Sequence, residues 1–502
     1  MSDIRHQTSD VRGLTADVSL ANADLAPVEA SRRTWSWWHI AALWVGMAIC
    51  IPTYTLASSL VHRGWTWQAA VGAVVLGNLV VLFPIALNSH AGTRYGIPFP
   101  VLARASFGVL GANVPALFRA LVACGWFGIQ TWIGGWAIFK LLEVMWPGIA
   151  TLPTVLPGFV GLGTGEFLCF MLFWAMNVWI VLRGMDSIKF LETWGSPFLL
   201  AVGVALLVWA WVRSGGIGPM LANPGGPADG RAGGLTGVFG AGLTSAVAFW
   251  GTMALSIPDF SRFARSQRDQ VIGQAVGLPG TMALFAFIGA VVTNATALIF
   301  GTRIADPVAL LARIGGPLMI MLSMAGLTVA TLTTNIAANI VAPANGFSNL
   351  APRRISFKMG AMITAVIGIL MLPWRLYNDA AAYIFTWLIG YGALLGPVAG
   401  IMIADYFFLR RGRLAIDDLY RRGGAYEYRG GVNWIAIAAF VLGVLPNLPG
   451  FIAALSGTAA SPLFAALYNW AWFVGFLVAA AVYLVGMKLR GSGGAGMRGS
   501  GT

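Results

Sequence analysis

Polar side chains cluster in one of the most apolar parts of the sequence, residues 329–343, which read VATLTTNIAANIVAP. Thr333 and Thr334 provide adjacent hydroxyl oxygens, which suit a hard cation such as sodium. Asn335 and Asn339 are four residues apart and share one face if the segment is helical. A primary amide donates and accepts hydrogen bonds, so these side chains could bind a polar small molecule. The cluster predicts a binding site; the alternative is that the threonines bond to the carbonyl of the preceding helical turn.

A second set of side chains has the chemistry to hold a flat ring. Trp126 and Gln130 are four residues apart and share a helix face. The indole offers a π-face for stacking, worth ~1 kcal/mol beyond area burial, and the amide complements the N–H and C=O edge of a cyclic ureide or nucleobase. Trp250 can provide a second face. The structural alternative is that the tryptophans are interfacial anchors and that the amides join helices.

The composition indicates which elements position these residues. Of the 502 residues, 58% are hydrophobic and 10% are charged, whereas a soluble domain carries about 25% charged residues. Long apolar runs separated by short basic loops are typical of a polytopic α-helical membrane protein. The net charge of +13 comes from cations in those loops, so we expect a lipid bilayer and no nucleic acid as partner. The three cysteines show no metal-ligand spacing, and no disulfide is expected.

The apolar runs predict about twelve spans of about 20 residues, the length that crosses the hydrocarbon layer. The predicted spans are 37–60, 67–88, 113–143, 165–184, 194–212, 236–257, 275–300, 316–341, 358–374, 382–408, 433–453 and 464–487. Arginine and lysine concentrate in alternate loops, which places both termini in the cytoplasm. Residues 1–30 are predicted to be a disordered cytoplasmic tail, and residues 491–502 a flexible tail.

The first and sixth predicted spans contain a short internal repeat, AICIPTY at residues 48–54 and ALSIPDF at residues 254–260. Proline inside a helix removes a backbone hydrogen bond and clashes with the preceding turn, and such breaks are tolerated where they line a cavity. The copies begin five spans apart, so they run in opposite directions through the membrane. This pattern predicts an inverted-topology repeat with broken helices and a substrate site near the bilayer midplane. Chance similarity is the alternative.

Five segments resemble the nucleobase:cation symporter-1 family in their order and spacing. They are NADLAPVEASRRTW at residues 22–35, NSHAGTRYGIPFPVLARASFG at 88–108, WFGIQTWIGG at 126–135, TTNIAAN at 333–339 and GPVAGIMIADYFFLRR at 396–411. The first segment is most similar to the branch of allantoin, uracil and hydantoin permeases. The resemblance extends from residue 22 to about residue 490.

The resemblance implies an all-α fold of the leucine-transporter type, a five-plus-five inverted repeat followed by two C-terminal helices. The repeats would occupy residues 31–213 and 236–409, and the additional helices residues 430–490. It also implies a secondary active transporter of the bacterial inner membrane that functions as a monomer. Such a protein imports allantoin, hydantoin or a nucleobase such as uracil by cation symport, with one helix bundle rocking against another.

The resemblance places the heterocycle between two tryptophans, with its edge bound by two amides. The predicted substrate-binding residues are Trp126, Gln130, Trp250, Asn339, Cys50, Asn335 and Phe249. Asn335 could instead hold the helices together. Cys50 departs from the pattern, because some members have a polar amide there and a thiol is a weak donor and acceptor. The alternative is that Cys50 only fills a small buried space. Leu388 matches a leucine of the outer gate; tight helix packing by the glycines after it is the alternative.

The coupling ion implied by the resemblance is sodium, with no other cofactor. Its expected ligands are carbonyls near the first-span break, then a carbonyl and two hydroxyls in the eighth span: Gly46, Ile49, Ala330, Thr333 and Thr334. Proton coupling is the alternative and normally requires a titratable group at depth in the membrane. Asp259 and Asp405 lie toward the cytoplasmic ends of their spans, where we expect them to pair with nearby arginines.

Other functions stay open at this point. The nearest is a proton-coupled or uncoupled permease for cytosine, a purine or uridine, and a channel or a membrane-embedded enzyme is more remote. We expect no enzymatic activity, because the sequence has no HExxH motif, no paired intramembrane carboxylates and no GxSxG motif with a buried base.

Overall fold

The computed structural model describes residues 20–21, 25–183, 185–222, 238–351 and 353–495, with the side chains of 185–196, 238, 319, 333, 337, 341, 345 and 491–495 outside the description. The helices up to residue 221 are α1 (Trp37–Ala48), α2 (Ile51–His62), α3 (Trp67–Tyr95), α4 (Phe99–Phe107), α5 (Asn113–Met145), α6 (Thr164–Arg183), α7 (Met185–Arg213) and α8 (Ile217–Leu221). The next group is α9 (Val238–Phe249), α10 (Gly251–Ser256), α11 (Pro258–Ser261), α12 (Gln267–Phe300), α13 (Pro307–Ile314), α14 (Pro317–Asn339), α15 (Val341–Leu350), α16 (Phe357–Leu370), α17 (Pro373–Tyr377) and α18 (Ile389–Ile403). The last helices are α19 (Trp434–Val444), α20 (Leu448–Ser456), α21 (Pro462–Asn469) and α22 (Ala471–Ala495).

Shorter elements complete the chain. The π-helical segments Ala382–Leu388 and Ala404–Leu409 flank α18. The 3₁₀ turns are Ala30–Arg32, Pro147–Thr151, Asp417–Tyr420 and Leu445–Asn447. The described residues form no β-strand beyond two isolated bridges, which agrees with the all-α prediction.

The helices match the twelve predicted spans. Seven helical stretches are long and apolar enough to cross a bilayer, and α1 with α2 forms a further span that is bent by 55°. The shorter apolar helices Pro197–Arg213, Phe239–Phe249, Ile320–Ile336 and Phe357–Leu370 correspond to the four remaining spans. Because lipid offers no hydrogen-bond partners, helices satisfy the backbone within each span.

The ordered chain extends beyond the predicted boundaries at both ends. Leu25 is buried and its carbonyl accepts a hydrogen bond from the Tyr420 hydroxyl at 2.7 Å. The amide of Val28 donates to the Gly96 carbonyl at 2.9 Å. The predicted tail therefore packs from residue 25 onward, because these residues bury an apolar side chain and satisfy backbone groups. Residues 1–19, 22–24 and 496–502 lie outside the described chain, whereas α22 continues to Ala495.

The first copy of the internal repeat interrupts its span as predicted. Ile49 ends the α1 hydrogen-bonding pattern, and Cys50 is extended with φ −146° and ψ 160°. Pro52 is the second residue of α2, a position where the missing N–H costs nothing. The break therefore precedes the proline by two residues.

The second copy differs from the prediction. Residues 254–256 are helical and end α10, and Pro258 begins α11 with Ile257 still in the right-handed helical region. The interruption of this span lies instead at Trp250, between α9 and α10, with φ −99° and ψ 11°. A proline at the first position of a helix needs no break before it. The interruption of this span therefore lies eight residues before Pro258, whereas in the first copy it lies two residues before Pro52.

Helix α5 lies at the centre of the molecule and packs against α6, α14, α15 and α16. Gly128 allows one of these close approaches, because a Cβ at Gly128 would lie 2.5 Å from the Gly368 carbonyl oxygen of α16. Helix α14 in turn contacts α1, α5, α6 and α7. The packing therefore brings the polar stretch of α14 against α5 and next to the broken first span.

Candidate functional site

A small cavity of about 40 Å³ lies where the first-span break, α5, the α9–α10 interruption and α14 meet. Its lining residues are Met47, Cys50, Pro52, Trp126, Gln130, Phe249, Trp250, Thr252, Met253, Ala338 and Asn339. Six of the seven predicted substrate residues are in this lining, and Asn335 is behind it. A volume of this size holds about one water molecule, so a heterocyclic ring can enter only if the walls move apart.

Aromatic side chains form one wall of the cavity. Phe249 contacts both predicted stacking residues edge to face, with ring centroids 5.2 Å from Trp126 and 5.1 Å from Trp250. Trp44 contacts Trp250 in the same way at 5.0 Å. Further rings around Trp126 are those of Tyr383, Trp387 and Tyr391. Two indoles supported by neighbouring rings suit a flat ligand, because aromatic rings stack on flat rings.

Two amides supply the polar part of the wall. Gln130 projects from α5 four residues after Trp126 and makes no hydrogen bond to the described part of the protein. Asn339 is the last residue of α14, and its Nδ2 donates to Asn335 Oδ1 at 3.0 Å. Asn335 is fully buried and bonds to α5 through the Phe127 carbonyl oxygen at 3.2 Å. These contacts of Asn335 agree with the alternative prediction, that it holds helices together.

Cys50 faces the cavity from the extended backbone between α1 and α2. Its Sγ lies 3.3 Å from Thr53 Oγ1, and Thr53 Oγ1 also lies 3.6 Å from Met282 Sδ. The thiol therefore has a weak polar neighbour within its own turn. The cavity lining contains no amide at this position.

The predicted sodium ligands lie around the same break. The Cys50 amide, which would donate to Gly46 in a continuous helix, donates to the Ala48 carbonyl at 3.0 Å. The Ile49 carbonyl accepts no hydrogen bond from the described chain. Such non-helical carbonyls are the ones that coordinate cations in broken membrane helices.

On α14, Thr334 Oγ1 donates to the Ala330 carbonyl oxygen at 3.0 Å. A hydrogen bond from a threonine to the carbonyl of the preceding helical turn was the alternative to a cation site. The same contact also places two predicted ligand oxygens, Thr334 Oγ1 and the Ala330 carbonyl oxygen, side by side. Both could accept one cation if the hydroxyl proton turned away from Ala330. The side chain of Thr333 lies outside the described residues. No group of three or more His, Cys, Asp or Glu side chains with metal-binding geometry occurs in the described part.

Leu388, the predicted gate residue, is fully buried at the end of the π-helical segment Ala382–Leu388 and does not line the cavity. Two tyrosines nearby bond to α2 instead. Tyr383 donates to the Pro52 carbonyl at 3.2 Å, and the Tyr377 and Thr55 hydroxyls are 2.6 Å apart. A second cavity of about 320 Å³ is lined in part by Thr55, Tyr377, Asn378 and Asp306.

The carboxylates have structural partners. Asp405 accepts from Arg410 at 2.6 Å and from the Tyr483 hydroxyl at 2.8 Å. Asp259 accepts from the Phe99 backbone amide at 2.8 Å, and it interacts electrostatically with Arg119 and Arg262. Asp306 caps α13 by accepting from the amides of Val308 and Ala309, and burial raises the pKa of its carboxyl. None of the three lines the central cavity.

Sequence reasoning missed several cavity residues. Met47, Thr252 and Met253 carry no motif, and Trp44 becomes relevant only because the folded chain places it on Trp250. Tyr383 and Tyr391 come from the segment before and within α18, more than 250 residues after Trp126. The available signal was weak: aromatic residues recur at Tyr383, Trp387 and Tyr391 with a spacing of four, which predicts a shared helix face.

Comparisons with known proteins find similar sequences over most of the chain. Residues 27–475 match a family model described as permease for cytosine/purines, uracil, thiamine, allantoin. The chain is 46% identical over 479 residues to the purine-uracil permease NCS1 of Arabidopsis thaliana, covering 94% of this chain and 78% of that protein. It is 41% identical over 472 residues to the allantoin permease of Bacillus subtilis (strain 168), covering 94% of each.

Solved structures of Mhp1, described as a nucleobase-cation-symport-1 family transporter, have the same fold. The inward-facing structure superimposes with a TM-score of 0.76 at 26% identity, covering 95% of this chain and 96% of Mhp1. The closed structure with bromovinylhydantoin bound gives a TM-score of 0.74 at 26% identity, covering 94% and 96%. The five-plus-five inverted repeat and about twelve spans are therefore confirmed.

Proposed function

The chain belongs to the family of permeases for cytosine, purines, uracil, thiamine and allantoin, and we propose that it imports a small planar nitrogen heterocycle by cation symport. Allantoin, hydantoin and uracil are the candidate substrates, and the plant relative adds purines. The observation that carries the proposal is the cavity in which Trp126, Trp250, Gln130 and Asn339 meet at the interruptions of two spans.

The chemistry of this lining suits such a ring. Aromatic faces stack on any flat heterocycle, and amides pair with the alternating N–H and C=O groups of its edge. No carboxylate is among the described residues that line the central cavity, so a neutral substrate needs no counter-charge there. We propose that the protein has transport activity and no enzymatic activity.

We propose sodium as the coupling ion, bound by the carbonyls of Gly46, Ile49 and Ala330 and the hydroxyls of Thr333 and Thr334. Helix α14 contacts α1, and it carries Asn339 little more than one turn after Thr334. One helix would then bind both ligands, so occupation of either site would change the position of the other. Residues 31–213 and 236–409 would form the inverted repeats, with residues 430–490 at the periphery.

The proposed setting is a bacterial inner membrane, with both termini in the cytoplasm and the monomer as the functional unit. The basic loops support this orientation, because cytoplasmic loops carry an excess of lysine and arginine. Leu388 and the tyrosines before it would close the outer side, and access would alternate by movement of one repeat against the other.

The test is uptake of labelled uracil and allantoin into proteoliposomes that contain the purified protein. We expect saturable uptake that an inward sodium gradient accelerates, whereas an equal potassium gradient does not. Unlabelled uracil, allantoin and hydantoin should compete for one site. Non-saturable flux would indicate a channel, acceleration by a proton gradient alone would favour the proton-coupled alternative, and independent uptake of two compounds would contradict a single site.

A further inference from the structure

We infer that the second cavity, on the outer side of the protein, is a separate binding site that recognises the open-chain ureido group of a ureide such as allantoin. This outer cavity has a volume of about 320 Å³, and Arg303, Asp306 and Asn378 help to line it. No described residue lines both cavities. The inference rests on the proposed function and adds a second site to it.

The outer cavity lies at one end of four spans. Its lining comes from the carboxyl-terminal parts of α2 and α5 and from the segments that follow α12 and α16. These elements belong to the first, third, seventh and ninth spans, which cross the membrane in the same direction. Their ends therefore meet on one side, which the proposed orientation places outside the cell. Pro52 of the central cavity and Thr55 of the outer cavity are three residues apart, so the two cavities follow each other along α2.

The loop that carries Arg303 and Asp306 is held against α2. The Nδ1 atom of His62 lies 2.9 Å from the Arg303 carbonyl oxygen, and the Ser58 hydroxyl donates to the Ala305 carbonyl at 2.9 Å. A backbone carbonyl can only accept, so Nδ1 of His62 carries a proton. Because these hydrogen bonds use the backbone of the loop, they leave the side chains of Arg303 and Asp306 for a ligand.

Asp306 supplies hydrogen-bond acceptors to the outer cavity. Its Oδ1 accepts from the Val308 amide at 3.0 Å, and its Oδ2 accepts from the Ala309 amide at 3.2 Å. Burial raises the pKa of this carboxyl, whereas the two amides, the Trp136 side chain and the charge of Lys140 favour its ionised form. An ionised carboxylate has about four acceptor positions and no donor. Each oxygen therefore keeps a free acceptor position, whichever of the two faces the cavity.

Donor groups line the same cavity. The Arg303 guanidinium can only donate, and in the described chain it forms no ion pair within 4 Å with Asp306 or another carboxylate. Asn378 Oδ1 accepts from the Trp132 indole N–H at 2.6 Å, and the Asn378 amino group has no hydrogen bond to a described residue. The outer cavity thus combines a group that only accepts with a group that only donates. By contrast, none of the described residues that line the central cavity is charged.

This combination fits an open-chain ureido group, –NH–C(=O)–NH2. Two of its N–H bonds point in the same direction, so the two oxygens of one carboxylate can accept them. Its carbonyl oxygen points the opposite way, where a guanidinium or an amide N–H can donate. In hydantoin and uracil the ring N–H groups lie on either side of a carbonyl and diverge, so one carboxylate cannot accept both. Allantoin is hydantoin that carries a ureido group, and this group is the part that the outer cavity recognises.

The volumes of the two cavities indicate the order of binding. Small-molecule sites have volumes of ~300–1,000 Å³, and the outer cavity of about 320 Å³ reaches that range. The central cavity of about 40 Å³ holds about one water molecule. A ureide can therefore occupy the outer cavity while the central cavity is closed, and its ring enters the central cavity in a second step.

The first test measures binding of labelled allantoin to the purified native protein while saturating unlabelled hydantoin and uracil occupy the central cavity. We expect about one allantoin molecule per protein to stay bound, because neither competitor carries an open-chain ureido group. Complete displacement of allantoin would overturn the inference, since all three compounds would then share one site. If neither labelled hydantoin nor labelled uracil bound to the protein, the proposed function would be contradicted instead.

The second test assigns this residual allantoin binding to the outer cavity. Asp306→Asn keeps the shape of the side chain and replaces one acceptor oxygen by an amino group. The residual affinity should fall at least about tenfold, as expected for one lost hydrogen bond to a charged group. Asp379→Asn is the matched control, because Asp379 is an exposed carboxylate that accepts from the Ala382 amide at 2.7 Å and does not line the cavity. Hydantoin should bind equally to the native protein and to both variants.

A third variant keeps the inference testable if Asp306→Asn does not fold. Arg303 is half-buried, and in the described chain its side chain forms no ion pair. Arg303→Gln should therefore fold and lower the residual allantoin affinity about threefold to tenfold, with hydantoin binding unchanged. Native residual affinity in folded Asp306→Asn, or in Arg303→Gln if only that variant folds, would overturn the inference.

Discussion

The two copies of the proline-containing repeat have similar sequences and different structures. In the first copy the chain is extended at Cys50, and this residue lines the central cavity. In the second copy the matching residue, Ser256, ends a regular helix. Its Oγ donates to the Thr252 carbonyl at 2.9 Å and accepts from Arg119 Nη2 at 2.7 Å. One copy therefore contributes to the ligand cavity and the other anchors a buried cation of α5.

This difference teaches that a proline motif marks a position in an inverted repeat but does not determine its use. Arg119 is buried, and its Nε and Nη1 have no hydrogen-bond partner within the described chain. The charge of this guanidinium interacts with Asp259, and Ser256 provides a hydrogen-bond acceptor for its Nη2, as a buried cation requires. The cavity side of the second repeat is supplied earlier, by Trp250 at the interruption and Thr252 and Met253 just after it.

The largest expected effect on binding comes from filling the cavity beside Cys50, in the first copy of the repeat. Cys50→Phe would place a phenyl ring into a cavity of about 40 Å³, so we expect binding of labelled uracil to fall at least about a hundredfold. Equilibrium binding to the purified protein measures this. Ser256→Ala at the matching position of the second copy is the control and should bind uracil like the native protein. Equal losses in both variants would show that the two copies are not functionally different.

A substitution on α14, which contacts α1, tests the proposed sodium site. Thr334→Ala removes a hydroxyl oxygen next to the Ala330 carbonyl, so the sodium concentration that half-maximally promotes uracil binding should rise about tenfold. Thr331→Val is the matched control, because the Thr331 hydroxyl is buried on the same helix without a hydrogen bond to the described residues. If Thr334→Ala left the sodium dependence unchanged, the coupling site would lie elsewhere.

The smallest effect on binding is expected for a substitution in the second copy, which should instead lower the stability of the protein. Ser256→Ala removes the hydrogen-bond acceptor of Arg119 Nη2, which should lower the free energy of unfolding by about 1–3 kcal/mol. Thermal unfolding of the purified protein measures the difference. Ser245→Ala is the control, since within the described chain the Ser245 hydroxyl bonds only to the Gly242 carbonyl of its own helix turn. A destabilisation no larger than that of the control would mean that Arg119 does not depend on Ser256.

Much of the fold could be predicted from the sequence because the bilayer imposes it. A span must be apolar for about 20 residues and must be helical, so the hydropathy pattern located the twelve spans. The break at Cys50 followed from Pro52, whereas the interruption at Trp250 has no proline or glycine pair before it. At this residue the indole packs against Trp44 and Phe249, contacts that the local sequence does not contain.

The candidate site was predictable only where local spacing or family resemblance carried information. The pair Trp126 and Gln130 follows from helical periodicity. The hydrogen bond between Asn335 Nδ2 and Asn177 Oδ1 does not, because these residues are 158 positions apart in the sequence. Hydrogen-bond polarity is a property of the packed helices, and no single segment contains it.

The most direct test of the central claim is the affinity of the purified protein for labelled uracil and allantoin, measured with and without sodium, for the native protein and for Trp126→Ala. Trp211→Ala, a change at an exposed tryptophan of α7, is the control. We expect sodium to tighten binding to the native protein and to the control, and Trp126→Ala to lose about tenfold to a hundredfold in affinity while remaining folded. Native affinity in Trp126→Ala would contradict the claim that this cavity binds the heterocycle.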